Sequence, residues 1–293
     1  MGKLSICIPT YKRLDYLKPF VESIPEQYPV LISDNGNFIP DDFFKRGNVR
    51  IEHLKEVVPM YENWNNAINM VETEWFIIPG DDDTVKADKL PLIEDCISKY
   101  QDCAYLAFAY DIINENGVVT GGWNPGMTLK FNAVDGFRYI RRGVPFRWPA
   151  IVINTSLSNK VGNIDEAFTF TAGDSLYLQT LAIKYPIAII NENVGQYRVW
   201  QNSFTSERIL SNDWFDQIGM WQQKLQSLIV NEGIDDIKVR RIHDQVVMDN
   251  LMVAMDLNKE ASLKEKIRLI KHTGWPVRGE FRKQLRLLRK TLS

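Results

Sequence analysis

The 293-residue sequence predicts an α/β fold, a mostly parallel sheet flanked by helices and followed by a C-terminal helical region. Strand-like and helix-like patterns alternate four times in the first hundred residues, as expected of strand-helix-strand units that build parallel sheets. From about Asp213 to Leu257, apolar residues recur at helical spacing in two long runs. Polar and acidic clusters fall directly after the apolar strand patterns, where open α/β sheets bind their ligands.

The elements follow in order. Leu4-Ser5-Ile6-Cys7-Ile8 reads as a strand stopped by Pro9, and Leu14, Leu17, Phe20 and Ile24 then mark a helix. Val30-Leu31-Ile32-Ser33 is the second strand and ends in the turn signal Asp34-Asn35-Gly36. Val49 to Leu54 is the third, and Tyr61, Trp64, Ala67, Ile68 and Val71 carry the next helix. The fourth strand, Trp75-Phe76-Ile77-Ile78, leads into Gly80-Asp81-Asp82-Asp83-Thr84. Gly121-Gly122-Trp123-Asn124-Pro125-Gly126 reads as a loop, and Arg147-Trp148 precede a further strand. The helical runs hold Trp214, Ile218, Trp221, Leu225 and Leu228, then Val239, Ile242, Val246, Met252 and Met255. Their stripes suit a subdomain core or an oligomer interface. The expected division is 1–210 and 211–293.

The acidic triplet carries the most chemistry. Three adjacent carboxylates at the end of a buried strand repel one another and lose hydration, so a cation or a set of donors is the natural compensation. Mg²⁺ or Mn²⁺ takes oxygen ligands, commonly one or two carboxylates with phosphates and water completing the shell. Asp81 and Asp83, at alternate positions, can converge on one ion and leave Asp82 for a sugar or ribose hydroxyl. The alternative is a solvated loop in which Asp83 or Thr84 caps the next helix.

Several segments in order resemble the family 2 glycosyltransferases, which have the GT-A (Rossmann-like) nucleotide-sugar fold. They are Ser5 through Arg13, Ser33-Asp34-Asn35-Gly36, Asn63 through Ile68, Trp75 through Asp83, Val161 through Phe168 and Ala172 through Leu178. The resemblance implies that Pro9, Thr10 and Tyr11, with Arg13, line the nucleotide site. It implies that Asp34 accepts a hydrogen bond from base or ribose, although Asp34 before Asn-Gly is also suited to an Asx-turn. Asn63 would lie near the nucleotide or serve as a helix cap. Asp81 and Asp82 would face the ribose or sugar, and Asp83 with Asp81 would hold the metal and diphosphate. Asp174, shortly after Gly162-Asn163-Ile164-Asp165-Glu166-Ala167-Phe168, stands where the family places its catalytic base. By itself it is equally a helix-start residue favoured by the macrodipole.

Two departures stand out. The family commonly has Glu-Asp where this chain has Gly173-Asp174, which removes a supporting carboxylate. Many relatives carry Tyr-Arg-x-His-x-x-Ser, where this chain reads Tyr197-Arg198-Val199-Trp200-Gln201-Asn202-Ser203. Indole cannot ligate a divalent cation, so Trp200 is left to stack on a sugar or close the site. Arg198 is a candidate diphosphate contact or the partner of a surface acid, and Trp148 a candidate border of the acceptor pocket. A Gln-x-x-Arg-Trp motif of processive synthases is not formed at the right spacing, and no apolar run reaches roughly 18 residues.

Three cysteines, an odd number, argue against a disulfide framework. With strand residues directly after Lys3 in place of a signal peptide, a cytoplasmic setting is expected. Residues 259–293 hold eleven Lys and Arg against three Asp and Glu. Phe281, Leu285, Leu288 and Leu292 recur there at helical spacing, which suits either an anionic membrane surface or packing on the catalytic domain.

The expected activity is inverting, metal-dependent transfer of one sugar from a nucleotide-diphosphate sugar, a UDP-sugar first among them. The acceptor would be a glycan or lipid-linked glycan of a surface polysaccharide such as a capsule or O-antigen. No nucleic-acid partner is expected. The alternatives are a catalytically silent sugar-nucleotide binding or scaffold protein, and a nucleotidyltransferase. The second is disfavoured because Pro9 to Arg13 contains no glycine for a triphosphate loop.

Overall fold

The computed structural model describes residues 2–200, 208–258, 260–274 and 281–292, the side chains of 281, 282 and 292 excepted. Gln201, Asn202 and Ser203 of the Tyr197-Arg198 stretch lie outside the described residues, as do the side chains of Phe281 and Leu292. The chain divides into two compact units. The first comprises Met1–Ile140, Val144–Thr169 and Tyr177–Val199, and the second Arg141–Gly143, Phe170–Leu176 and Trp200–Ser293.

The first unit is built on one sheet with strand order β3-β2-β1-β4-β9-β6-β10-β5, in which β7 also pairs with β6 and β8 with β10. Its first half, β1 (Leu4–Thr10), β2 (Val30–Asp34), β3 (Val49–His53) and β4 (Trp75–Ile77), is parallel throughout. Crossover helices make this possible: α1 (Leu14–Ser23) joins β1 to β2, and α2 (Met60–Asn69) joins β3 to β4. Strand β1 is buried along its whole length, pairing with β4 over residues 4–6 and with β2 over residues 6–10, and its near-continuous apolar run matches that burial. Leu17, Phe20 and Val21 of α1 pack with Leu4, Ile6, Ile8 and Ile32 in the main core.

Three sequence expectations are corrected here. Strand β1 does not stop before Pro9 but runs through it to Thr10. Pairing with β4 ends at Ile6–Ile77, so the edge beyond needs no N–H from Pro9 while β2 still pairs at Ser33 and Asp34. The sheet is parallel only in part. Strand β9 (Ile151–Asn154) runs antiparallel to both β4 and β6 (Tyr105–Ile113), while β10 (Ile187–Arg198) is parallel to β6. Apolar periodicity marks a buried strand and carries no direction. Lastly, Gly121 to Trp123 belong to strand β7 (Val119–Trp123), antiparallel to β6, and are not loop. A Cβ at Gly122 would lie 2.6 Å from the Tyr110 carbonyl oxygen, so glycine permits the approach, and Trp123 stacks on Tyr110.

The remaining elements of this unit are β5 (Thr84–Val85), α3 (Leu90–Lys99), β8 (Leu129–Phe131), α4 (Asp135–Ile140), a 3-10 turn at Trp148–Ala150 and α5 (Thr155–Val161). Helix α6 (Gly173–Lys184) starts in the second unit and continues in the first.

The second unit is helical: α7 (Asn212–Asn231), α8 (Val239–Leu257), α9 (Leu263–Thr273) and α10 (Phe281–Leu292). The Ser211 hydroxyl caps α7 by accepting the Trp214 N–H at 3.2 Å, and Ser262 with Glu265 forms a reciprocal capping box on α9. Helix α7 buries Trp214, Ile218, Trp221 and Leu225, with Ile229 taking the place expected of Leu228. The Trp214 indole donates to Asn250 Oδ1 at 2.9 Å and ties α7 to α8. Among the described residues, no helix is long and apolar enough to cross a membrane.

Candidate active site

Because β2, β1 and β4 are parallel neighbours, their carboxyl ends fall at one edge of the sheet. Thr10, Asp34 and the turn Gly80 to Asp83 are delivered there together. The turn is closed on itself: the Asp83 N–H donates to the Gly80 carbonyl at 3.2 Å, and the Gly80 N–H donates to Asp83 Oδ2 at 3.3 Å. Asp83 is not a helix cap, since β5 starts at Thr84 and α3 only at Leu90.

Asp81 is buried and anchored by the chain after β1. Its Oδ2 accepts the Thr10 hydroxyl at 2.9 Å and the Tyr11 N–H at 3.0 Å, and its Oδ1 lies 3.4 Å from Arg13 Nη1. Burial raises its pKa, partly opposed by the Tyr11 N–H and the Arg13 charge. The same guanidinium pairs with Asp82. Asp82 is therefore not left free for a ligand hydroxyl as the alternation of carboxylates suggested. Lys12, between Tyr11 and Arg13, takes φ 62°, an uncommon conformation for a lysine, at the turn separating those two side chains.

Asp83 differs in kind. It is 5% exposed, and its oxygens accept backbone N–H groups, from Gly80 and, at 2.9 Å, from Arg198. Neither donor carries a unit charge. Burial, reinforced by the charge of Asp82, pushes its carboxyl up to about 8. Arg198 closes the turn from β10, the strand paired with β5. Its Nε donates to the Asp82 carbonyl at 2.8 Å, its Nη1 to the carbonyls of Asn114 at 2.8 Å and Glu115 at 3.1 Å, and its guanidinium stacks on Tyr16. It thus bonds to the acidic turn and, among the described residues, makes no pair with a surface acid.

Asp34 is fully buried, and its Oδ2 accepts the Ile39 N–H at 2.8 Å and faces His53 Nδ1 at 2.8 Å. No Asx-turn forms, because the side chain reaches Ile39 and not Gly36. Its Oδ1 is buried with no partner. Nearby, Tyr11 and Phe38 are exposed rings meeting edge to face at 5.6 Å, with the Lys12 ammonium over both. Asn63 is inside α2 and is not its cap: its Oδ1 accepts the Ser33 hydroxyl at 2.6 Å, and its Nδ2 lies 3.5 Å from the Thr10 carbonyl. It braces β1 against β2. Trp148 is buried and stands edge-on to Trp64 at 4.9 Å, so it packs inside the fold and does not offer an open face.

Asp174 lies in the first turn of α6, half-buried, and its Oδ1 accepts the Ser175 N–H at 2.7 Å. Ala172, just before the helix, takes φ 66°. Trp200 is half-buried and belongs to the second unit. The Gly162 to Phe168 segment is fixed from α2, where Asn65 bonds to Ile164 N–H and carbonyl and to Glu166. Sequence reasoning passed over His53, Phe38 and Asn65. The signal available for His53 was a histidine ending a strand pattern, but its pairing with Asp34 depends on register.

Among the described residues, no group of three or more His, Cys, Asp and Glu side chains stands ready to hold a metal. The donor set still fits a hard divalent ion. Among the described residues Asp83 is a buried carboxylate without a cationic partner, each of its oxygens retains acceptor capacity, and such ions draw most ligands from phosphate and water.

The model of glycosyl transferase family 2 matches residues 5–162, more than half of the chain, so the chain belongs to that family. Its class of activity is glycosyl transfer. The solved structures similar to it include S. aureus TarS 1-349 in complex with UDP-GlcNAc, at 15% identity and TM-score 0.66, covering 92% of this chain and 79% of that one. The same TarS segment in complex with UDP matches at 13% identity and TM-score 0.59, covering 99% and 90%. A longer TarS structure matches at 15% identity and TM-score 0.53, and 54% of its length is covered. At these identities the likeness shows the fold. No match is found among curated proteins.

Proposed function

We propose that this protein is an inverting transferase that moves one sugar from a UDP-sugar to a glycan or lipid-linked glycan in surface polysaccharide assembly. The observation that carries the reading is Asp83, a buried carboxylate that, among the described residues, is met by the backbone N–H groups of Gly80 and Arg198, in a turn at the carboxyl edge of the sheet. Family membership and the UDP and UDP-GlcNAc complexes of TarS support the choice of donor.

Tyr11 and Phe38 offer aromatic faces to the base, and the Asp34 Oδ1 accepts a donor N–H or hydroxyl from base or ribose. Mn²⁺ or Mg²⁺ held by Asp83 and Asp81 would neutralise the diphosphate and so make it a better leaving group. Arg13 pairs with both Asp81 and Asp82 and offsets their mutual repulsion, and Arg198 bonds to the Asp82 carbonyl of their turn. Asp174 is assigned the base: it takes the proton as the acceptor oxygen attacks the anomeric carbon, the bond to the diphosphate oxygen breaks, and UDP departs. Trp200, in place of the histidine common in relatives, is assigned to stacking on a sugar.

The test is calorimetric titration with UDP-, GDP-, CDP- and dTDP-sugars, each with Mn²⁺ and again with EDTA. Metal-dependent binding of a UDP-sugar is expected. Absence of binding to every donor under both conditions overturns the proposal.

A further inference from the structure

We infer that the outward face of α10, extended by that of α9, docks on an anionic lipid bilayer. The inward face of α10 is defined by its contacts. Leu287 and Thr291 are buried, Lys283 pairs with Asp249 at 2.5 Å and Lys290 pairs with Asp256, both acids being on α8. These four positions share one face of the helix. Leu285 and Arg289 point the opposite way, with Leu288 and Arg286 beside them. The two leucines are 44% and 45% exposed, and both arginines are exposed.

The charge on this face is not used within the fold. The two lysines of α10 that have acidic partners are the inward ones, and among the described residues neither Arg286 nor Arg289 has one. Helix α9 repeats the arrangement. Lys266 and Leu269 are buried, Lys266 reaching the Lys290 carbonyl at 3.4 Å, while Lys264, Arg268 and Lys271 are exposed alongside Leu263 and Ile267.

The helical spacing places Leu285 and Leu288 in one stripe with Phe281 and Leu292, a pattern that suits a membrane surface or inward packing. The described contacts separate inward Leu287 from outward Leu285 and Leu288. Exposed arginines alone would suit any polyanion. Exposed leucines set between arginines that, among the described residues, have no acidic partners match the apolar and charged layers of an anionic bilayer surface together, which favours that occupant over a purely polar polyanion.

The experiment is co-sedimentation of the full chain with vesicles of phosphatidylcholine alone, and of phosphatidylcholine with phosphatidylglycerol. Binding only to the second is expected. Arg286→Glu with Arg289→Glu should lower it at least about tenfold, as should Leu285→Ser with Leu288→Ser at low salt. Melting curves check that both pairs fold. Should either pair fail to fold, a polarity-sensitive fluorophore on Leu288→Cys supplies the readout. Its emission should shift to the blue with anionic vesicles and stay unchanged with soluble polyphosphate. No sedimentation with anionic vesicles, undiminished binding by the leucine pair, or an equal response to polyphosphate overturns the inference.

Discussion

His53 Nδ1 lies 2.8 Å from Asp34 Oδ2, across the parallel pairing that sets the last residue of β2 beside the last of β3. With Ile39 donating to the same oxygen, both available donors are gathered on Oδ2, and Oδ1 is left buried without a partner. A buried acceptor in that condition is costly, and a ligand donor that meets it recovers the cost on binding. Asp34→Ala should therefore weaken UDP binding by about 10- to 100-fold in calorimetry. His53→Ala should raise the donor KM with little change in kcat. His53→Asn, whose amide can donate from a similar position, should restore part of the loss. Unchanged UDP affinity in His53→Ala would remove the histidine from this role.

The Asp83 carboxyl, raised from 3.8 to about 8, gives the site a definite pH response. Across that window the folded protein holds a proton that the unfolded chain has released. The stability associated with the neutral form is present in full below 3.8 and is lost as pH rises toward 8. A metal held by Asp83 would compete with the same proton, so Mn²⁺ affinity should rise from about pH 6 to about pH 9. Asp83→Asn should melt higher than the unmodified protein at about pH 8 without metal, and lose metal-dependent donor binding. Equal Mn²⁺ affinity at both pH values, measured by calorimetry with UDP present, would count against Asp83 as a ligand.

The parts of this architecture that were legible in the sequence are those set by local pattern. The spacing of Leu17 and Phe20 gave α1, and the apolar runs before Asp34 and Asp81 gave the strands that carry them. What stayed hidden depends on pairing between distant segments. The Arg198 N–H reaches Asp83 over a sequence separation of 115 residues, and nothing in Tyr197-Arg198-Val199 announces that contact. Asp82 looked free because a carboxylate triplet read alone does not show that Arg13 turns back over it after the left-handed Lys12. Proline stops a strand whose edges are both paired, and at Pro9 the strand continues because β4 ends short of it.

Gly195 tests the packing behind the site. It lies in β10 opposite Val85, and a Cβ there would come 2.4 Å from the Pro149 carbonyl oxygen in the turn that carries Trp148. That neighbour is backbone and cannot swing aside. Gly195→Ala should destabilise the protein by about 1–3 kcal/mol, read as a lower midpoint in urea or heat. Because β10 also delivers Arg198 to Asp83, donor binding should weaken with it. A midpoint within error of the unmodified protein would show that the turn yields without cost.

Asp174 separates chemistry from binding. It opens α6 with its Oδ1 engaged by the Ser175 N–H. If it takes the acceptor proton, Asp174→Asn should lower kcat by about 100- to 10,000-fold while the calorimetric affinity for UDP with Mn²⁺ is kept. The amide preserves the acceptor oxygen that receives the Ser175 N–H, so the start of α6 should survive, which a melting curve checks. A helix-start role alone predicts the reverse, a small loss of stability with transfer intact. Normal turnover in Asp174→Asn would therefore move the base to another residue without disturbing the assignment of the donor site.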